Sequence, residues 1–399
     1  YAAISDSQTS DHCVFQFVDR TVAHFNCCST QKQISLSSYK MAIQKIDIEE
    51  FLRLALTYPV LDVRSPGEYK HAHLPNAISF PLFSDEERKV VGTAYKQQSR
   101  EQAIKYGLDY FGVKMRKMVE EAEVIIDNWK KTIGKDASSN KTLLVHCWRG
   151  GMRSGAVAWL LDLYGFKVYT LAGGYKAFRK WSLSQFEKQY SFRILGGYTG
   201  SGKTYLLENL QKEGETTIDL EGLAHHKGSA FGNIGMPAQP SQDQFENKLA
   251  LELSASALSN KPIWLEDESQ RIGDVNLPIS IWKQMRQTEV YFVDIPFEER
   301  LKHIVLEYGK LEKERLVNAV IRIKKRLGGL ETKEAVNALI EDRTEDCFRI
   351  LLTYYDKWYS KGLHNRENLE ALLYKIPCKT VDESNTKQLL QLQVPQKEL

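Results

Sequence analysis

The hydrophobic positions of this chain come mostly in short runs separated by longer helical spacings. Val60-Leu61-Asp62-Val63 is a brief apolar run ending in a charged turn, which predicts a strand. Thr142-Leu143-Leu144-Val145-His146 is a second, and Met152 to Tyr164 then carries helical spacing. Val168-Tyr169-Thr170-Leu171 is a third run, stopped by Gly173-Gly174. Phe192-Arg193-Ile194-Leu195 begins a new series, followed by helical Tyr205-Leu206-Leu207-Glu208 and the run Ile263-Trp264-Leu265. Strands alternating with helices predict parallel sheets in both halves of the chain.

Between the first two runs, residues 84–135 are rich in Lys, Glu and Gln. Val113, Met115, Met118, Val119, Val124 and Ile125 recur there at helical spacing, so the segment reads as a helical insertion. Lys176 to Gln189 reads as a linker of helical character. Beyond about residue 298 the pattern is almost wholly helical. Residues 1–40 show no sustained period, are rich in Ser, Thr and Gln, and precede Met41; they are expected to be a poorly ordered leader. The expected division is 41–188 and 189–399.

Composition narrows the class. The chain has 399 residues, enough for two cores. A net charge of +3 means any nucleic-acid surface must be a local patch. No apolar run reaches membrane-spanning length. The six cysteines (Cys13, Cys27, Cys28, Cys147, Cys347, Cys378) fit neither a disulfide framework nor a zinc site, which predicts a reducing, cytoplasmic setting.

Two loops carry the chemistry. In His146-Cys147-Trp148-Arg149-Gly150-Gly151-Met152-Arg153-Ser154, a cysteine leaves a buried strand and enters a glycine turn that opens a helix. Inward amides, the helix N-terminus, Arg149 and Arg153 should all favour the thiolate and bind an oxyanion. An inert buried thiol beside a solvated Arg pair is the plainer alternative. The second loop, Gly197-Tyr198-Thr199-Gly200-Ser201-Gly202-Lys203-Thr204, follows a strand and precedes a helix, the setting a P-loop requires. Its amides would cradle a diphosphate, with Lys203 adding charge and Thr204 in reach of a Mg2+ ion. Glu266-Asp267-Glu268 ends the following strand, and one of these acids, taken as Glu268, would face that site. The adjacent His225-His226 invite a zinc reading, but neighbouring side chains diverge, so a substrate-contacting loop is preferred.

Arg322, Lys324, Lys325 and Arg326 form a basic run, with Lys310, Lys313 and Arg315 upstream, and Tyr354, Tyr355, Trp358 and Tyr359 crowd one stretch. Such groups suit RNA when exposed, and an ordinary helix face with an aromatic core when not.

The run Leu61-Asp62-Val63-Arg64-Ser65-Pro66-Gly67-Glu68-Tyr69, with His73-Leu74-Pro75-Asn76-Ala77-Ile78, resembles the N-terminal signature of rhodanese-like domains. In that family the cysteine carries transferable sulfur or selenium, and Asp62 and Arg64 would brace its loop. The five residues between Cys147 and Arg153 exceed the commoner sulfurtransferase spacing and equal that of cysteine phosphatases. Joined to the P-loop, and with Leu220-Glu221-Gly222-Leu223-Ala224 and Glu268-Ser269, the whole is similar to the tRNA 2-selenouridine synthase family. That resemblance implies an α/β, rhodanese-like domain followed by a P-loop NTPase-like domain with a helical C-terminal region. It implies a transferase acting on tRNA with wobble 2-thiouridine. Selenophosphate (from a supplying enzyme) and geranyl diphosphate would be co-substrates, and an S-geranyl nucleoside the intermediate. The rivals are a sulfurtransferase or cysteine phosphatase fused to an ATP-binding kinase or ATPase, and an RNA-binding protein with vestigial loops.

Overall fold

The computed structural model describes residues 43–133 and 141–392; the expected leader, 1–40, lies outside them. Five strands form the first sheet: β1 (Gln44–Ile46), β2 (Val60–Asp62), β3 (Ile78–Ser79), β4 (Thr142–His146) and β5 (Lys167–Leu171). They run parallel in the order β1-β5-β4-β2-β3. β4 is central and buried at every position, as expected of a strand covered by helices on both faces. The expected insertion is three helices, Asp85–Gln97, Arg100–Gly112 and Met115–Ile133. Phe111, Met118, Val119, Ala122 and Ile126 pack them against Leu61, Val145 and Leu161 in one core.

The second sheet holds β6 (Phe192–Gly196), β7 (Thr216–Ile218) and β8 (Ile263–Glu266). A two-strand antiparallel ribbon, β9 (Arg271–Ile272) and β10 (Val275–Asn276), follows, and β11 (Val290–Asp294) and β12 (Leu373–Pro377) complete the sheet. Its order is β12-β11-β6-β8-β7, all parallel. The wholly helical expectation beyond residue 298 is thus corrected. Leu373-Tyr374-Lys375-Ile376-Pro377 returns from the helices to pair with β11 over five residues. As an edge strand it is only partly buried, so it lacks the continuous apolar run that marks β4 and β8.

The stretch read as a linker is an interface. Gly174–Gln185 is a helix whose Tyr175, Phe178 and Trp181 are buried, and they share one core with Leu144 of β4 and with Phe245, Leu249 and Leu253 of helix Gln242–Ala257. Polar contacts reinforce this seam. Arg179 bonds Asn247 at 2.7 Å and Glu246 at 2.6 Å, and Asn247 donates to Tyr175 Oη at 2.8 Å. The short apolar spacing (175, 178, 181) was visible, but its partners lie some seventy residues downstream.

Candidate active sites

Cys147 sits at the C-terminal end of β4, directly before the helix Met152–Leu163. The loop between closes under Gly150, whose φ is +62° and whose added Cβ would lie 2.3 Å from Leu171 O, so only glycine fits. Ser154 Oγ lies 3.3 Å from Cys147 Sγ, and the Gly151 amide donates to that sulfur at 3.4 Å. Burial pushes the thiol up, but the Ser154 hydroxyl and the amides of Gly151, Ser154 and Arg149 outweigh it and hold Cys147 below its ordinary range.

The amides act as expected, but the arginine charges do not. Arg153 donates to Glu68 at 2.6 Å and 3.3 Å and is not among the groups acting on the thiol. Burial raises the Glu68 carboxyl, but the Arg153 hydrogen bond and charge prevail and bring it to about 2. Arg149, in contrast, is exposed, and its guanidinium has no hydrogen bond or ion pair among the described residues. Trp148 is 40% exposed beside it, with its ring 5.6 Å from that of buried Tyr175. The loop therefore keeps one bound arginine and offers one free.

The residues of the N-terminal signature form the scaffold under this loop. Arg64 is 1% exposed, donates through Nε to both Asp62 oxygens at 2.9 Å and through Nη2 to Ala72 O at 2.8 Å, and stacks 3.9 Å from the Tyr175 ring centre. Ser65 and Glu68 form a capping box on helix Pro66–His71, with Pro66 in the first turn. Glu68 thus caps its own helix and reaches Arg153. Its part in the site was not singled out from sequence, although it lies inside the quoted motif; nor was that of Ser154.

The second site lies where β6 ends. Gly197, Gly200 and Gly202 all have positive φ, and helix Lys203–Lys212 begins at once. At Gly200 a Cβ would stand 2.7 Å from Ile304 Cδ1 and 3.0 Å from Arg300 O. Ser201 donates to Tyr198 O at 2.7 Å, Lys203 Nζ to Gly197 O at 3.1 Å, and Thr204 Oγ1 to Glu221 Oε2 at 3.2 Å. Arg300 braces the loop from helix Phe297–Tyr308, bonding Thr199 O at 3.1 Å and Asp356 at 2.9 and 2.7 Å.

The three acids after β8 divide. Glu266 is wholly buried, accepts from Leu220 N at 3.0 Å and is raised well above its usual value by burial and by Asp219. Asp267 binds Arg366 at 3.0 and 2.6 Å and accepts from Tyr359 Oη at 2.8 Å, while that same oxygen accepts from Gly197 N at 3.1 Å. Among the described residues Glu268 lines the ligand space with no such partner, whereas Asp267, also at its edge, is committed to Arg366 and Tyr359. A Cβ at Gly228 would meet Glu221 Oε1 at 2.6 Å and Glu268 Oε1 at 3.0 Å, so the two carboxyls converge on one point. Burial raises both, the Glu221 charge adds to it at Glu268 and the Asp219 charge at Glu221, and Lys203 only partly offsets this.

Above the P-loop opens a cavity of about 770 Å³. Its floor is residues 199–204 with Glu221 and Glu268, and its wall includes Phe231, Ile304, Tyr308, Phe348, Leu351 and Leu352. Its lining residues all fall between Thr199 and Tyr359, so the Cys147 loop is no part of it. The crowded aromatics belong mostly here. Tyr355 Oη accepts from Ala230 N at 2.9 Å and Tyr359 anchors Gly197, so both hydroxyls serve the site and not an open surface; Trp358 alone of the four is exposed. Lys313 and Arg315 pair with Asp342 and Glu312. Arg322, Lys324 and Lys325 are exposed without ion pairs among the described residues, and neighbouring Arg326 lines the cavity. His225 Nδ1 donates to Ala238 O at 2.9 Å, and no group of three metal-ligating acids, histidines or cysteines occurs among the described residues.

A rhodanese-type cysteine loop on one parallel sheet, continuous through a shared core with a P-loop on another, defines a two-part α/β enzyme class. Residues 47–180 match the family model of the rhodanese-like domain, and residues 190–381 that of the tRNA 2-selenouridine synthase AAA domain. A tRNA 2-selenouridine synthase of Marinobacter nauticus is 34% identical over 80% of this chain and 93% of its own length. One of Shewanella piezotolerans is 33% identical over 84% and 96%. The crystal structure of the N-terminal domain of a putative ATP/GTP binding protein from Clostridium difficile 630 is 38% identical, covering 35% of this chain and 99% of that one, with a TM-score of 0.31. The chain belongs to the tRNA 2-selenouridine synthase family. No helix among the described residues is long and apolar enough to cross a membrane.

Proposed function

We propose that this protein is a cytoplasmic transferase that replaces the sulfur of wobble 2-thiouridine in tRNA with selenium, in two chemical steps at two separate sites. The observation that carries the reading is the cavity itself: a P-loop floor joined to an aliphatic and aromatic wall, apart from the Cys147 loop. That combination suits geranyl diphosphate, a charged head on an apolar chain, better than a nucleotide with a hydroxylated sugar.

In the first step the thiocarbonyl sulfur attacks the terminal carbon of geranyl diphosphate. The C–O bond breaks with its electron pair going to the diphosphate, the S–C bond forms, and the base loses its N3 proton. The P-loop amides and Lys203 stabilise the charge developing on the leaving oxygen. The donor set at the floor is all hard oxygen, which fits Mg2+. Thr204 and, directly or through water, Glu221 and Glu268 would hold the ion, and it would supply further charge neutralisation.

In the second step selenium bonds to C2 and the C–S bond breaks. The geranyl thiolate, now a competent leaving group, departs and is protonated. Selenophosphate, made by a separate supplying enzyme, and one water provide the selenium and end as phosphate. The free Arg149 and the loop amides would receive its anionic group, with Trp148 placed to stack on the base. The unpaired Arg322, Lys324 and Lys325 near the cavity would receive tRNA phosphates.

Nucleoside mass spectrometry tests this. With 2-thiouridine tRNA, geranyl diphosphate and selenophosphate, selenouridine should form, and S-geranyl-2-thiouridine should accumulate when selenophosphate is withheld. Unchanged 2-thiouridine in every arm would refute the proposal.

A further inference from the structure

We infer that Cys147 attacks the phosphorus of the selenium donor and not its selenium, so that the enzyme passes through a phosphocysteine and releases selenide beside the tRNA. The inference rests on the proposed use of selenophosphate. It deepens that reading by assigning the reacting atom.

Three observations converge on it. First, the hydrogen-bond donors of the loop are aimed at Sγ itself: the Ser154 hydroxyl at 3.3 Å and the Gly151 amide at 3.4 Å. A hydroxyl at that position stabilises the thiolate before attack, and stabilises it again when the sulfur leaves a phosphoryl group. In a perselenide the negative charge would sit on the outer selenium, beyond Sγ, and the Ser154 hydroxyl would have little to act on. Second, the arc from Cys147 to Arg153 holds five residues, and a Cβ at Gly151 would meet nothing within 4 Å. The loop therefore has room for a tetrahedral anion over its amides.

Third, Glu68, an acid lying against the loop through Arg153, is held ionised at about 2. It cannot donate a proton. Cleavage of a phosphate ester needs an acid to protonate the departing oxygen. Selenide departs as a stabilised anion and needs none.

Electron counting points the same way. Selenium is at the selenide level both in selenophosphate and in the selenocarbonyl of the product. Storing it on Cys147 as a perselenide would oxidise the sulfur–selenium pair by two electrons and require an acceptor, then a reductant for release. Attack at phosphorus requires neither. The Sγ–P bond forms as the P–Se bond breaks, and the electron pair leaves on selenium, which takes a proton from water. Hydrogen selenide then displaces the geranyl thiol at C2. A water attacks the phosphocysteine, the S–P pair returns to Sγ, and phosphate leaves. The sum is selenophosphate and water giving hydrogen selenide and phosphate.

The test uses the full chain with selenophosphate carrying radiophosphorus, without tRNA, quenched by denaturation and mapped to peptides. The parent should carry phosphorus on the Cys147 peptide, and Cys147→Ser should carry none. Ser154→Ala should accumulate about tenfold more, because the hydroxyl no longer eases departure of the thiolate from phosphorus. A phosphoryl group and a selenium atom have nearly equal mass, so the selenium isotope pattern must be absent from that peptide. Selenium on Cys147 without phosphorus would overturn the inference, as would Ser154→Ala that still releases selenide but never accumulates label. Because tRNA is absent, the two proposals fail separately. Phosphocysteine without selenouridine production would refute the function and keep this step; selenouridine without phosphocysteine would do the reverse.

Discussion

The cysteine loop and the P-loop both end a parallel strand in glycines and a helix N-terminus, yet they distribute charge in opposite ways. Around Cys147 the donors converge on one sulfur and lower its proton affinity, while one of the two loop cations, Arg153, is locked to Glu68. Around Lys203 two carboxyls, Glu221 and Glu268, are pressed together and their proton affinity rises. The first site is organised to present a nucleophile. On the proposed function, the second would receive charge, a cation between its acids and a diphosphate on its amides. On the same reading, similar backbone geometry would serve attack in one half and departure in the other, with the side chains deciding which.

The sharpest way to break this comparison is to exchange the losses. Cys147→Ser should reduce selenation by about a thousandfold or more, since no other thiol lies in that loop, and leave geranylation intact. Lys203→Ala should do the reverse, lowering geranylation by about a hundredfold through lost stabilisation of the leaving diphosphate. Nucleoside analysis of each variant reads both.

A smaller effect concerns Tyr359, which ties Gly197 to Asp267. Tyr359→Phe should raise the KM for geranyl diphosphate by about tenfold and leave Cys147 alkylation by iodoacetamide unchanged. Equal losses at both sites would mean the tyrosine merely supports the fold.

The smallest effects are in stability, and their signs differ between the halves. Glu268 is raised in the folded chain. Between its unfolded value, about 4.3, and its higher folded value the native state holds the extra proton, so its contribution falls as pH rises through this window. Glu268→Gln should therefore raise Tm at neutral pH while impairing geranylation. Glu68 is depressed. Its contribution is full above about 4.3 and is lost as pH falls toward about 2. Glu68→Gln should lower Tm slightly at neutral pH, with the difference vanishing in acid. Thermal unfolding of the two variants across pH measures both signs.

Much of this was legible in the chain. β4 and β8 are continuous apolar runs, and β4 and β6 lead at once into the cysteine loop and the P-loop, so strand and turn could be read together. Arg153 misled because spacing shows that two arginines are near a thiol but not which one another residue has claimed. Glu68, 85 positions away, settles that. Glu221 and Glu268 are 47 positions apart, and only the fold brings them to one point beside Gly228. β12 was missed because an edge strand following long helices has no burial pattern of its own. The helix at 174–185 was read as a connection because its buried face is matched by residues far downstream.

The claim that two sites divide one reaction is tested most directly by passing the intermediate between variants. tRNA treated with Cys147→Ser protein and geranyl diphosphate is repurified, then given to Lys203→Ala protein with selenophosphate. The account predicts selenouridine after the second incubation, at a rate near that of the parent, although neither variant makes it alone. Absence of selenouridine after confirmed S-geranylation would contradict a free-standing cysteine site and join the two steps in one.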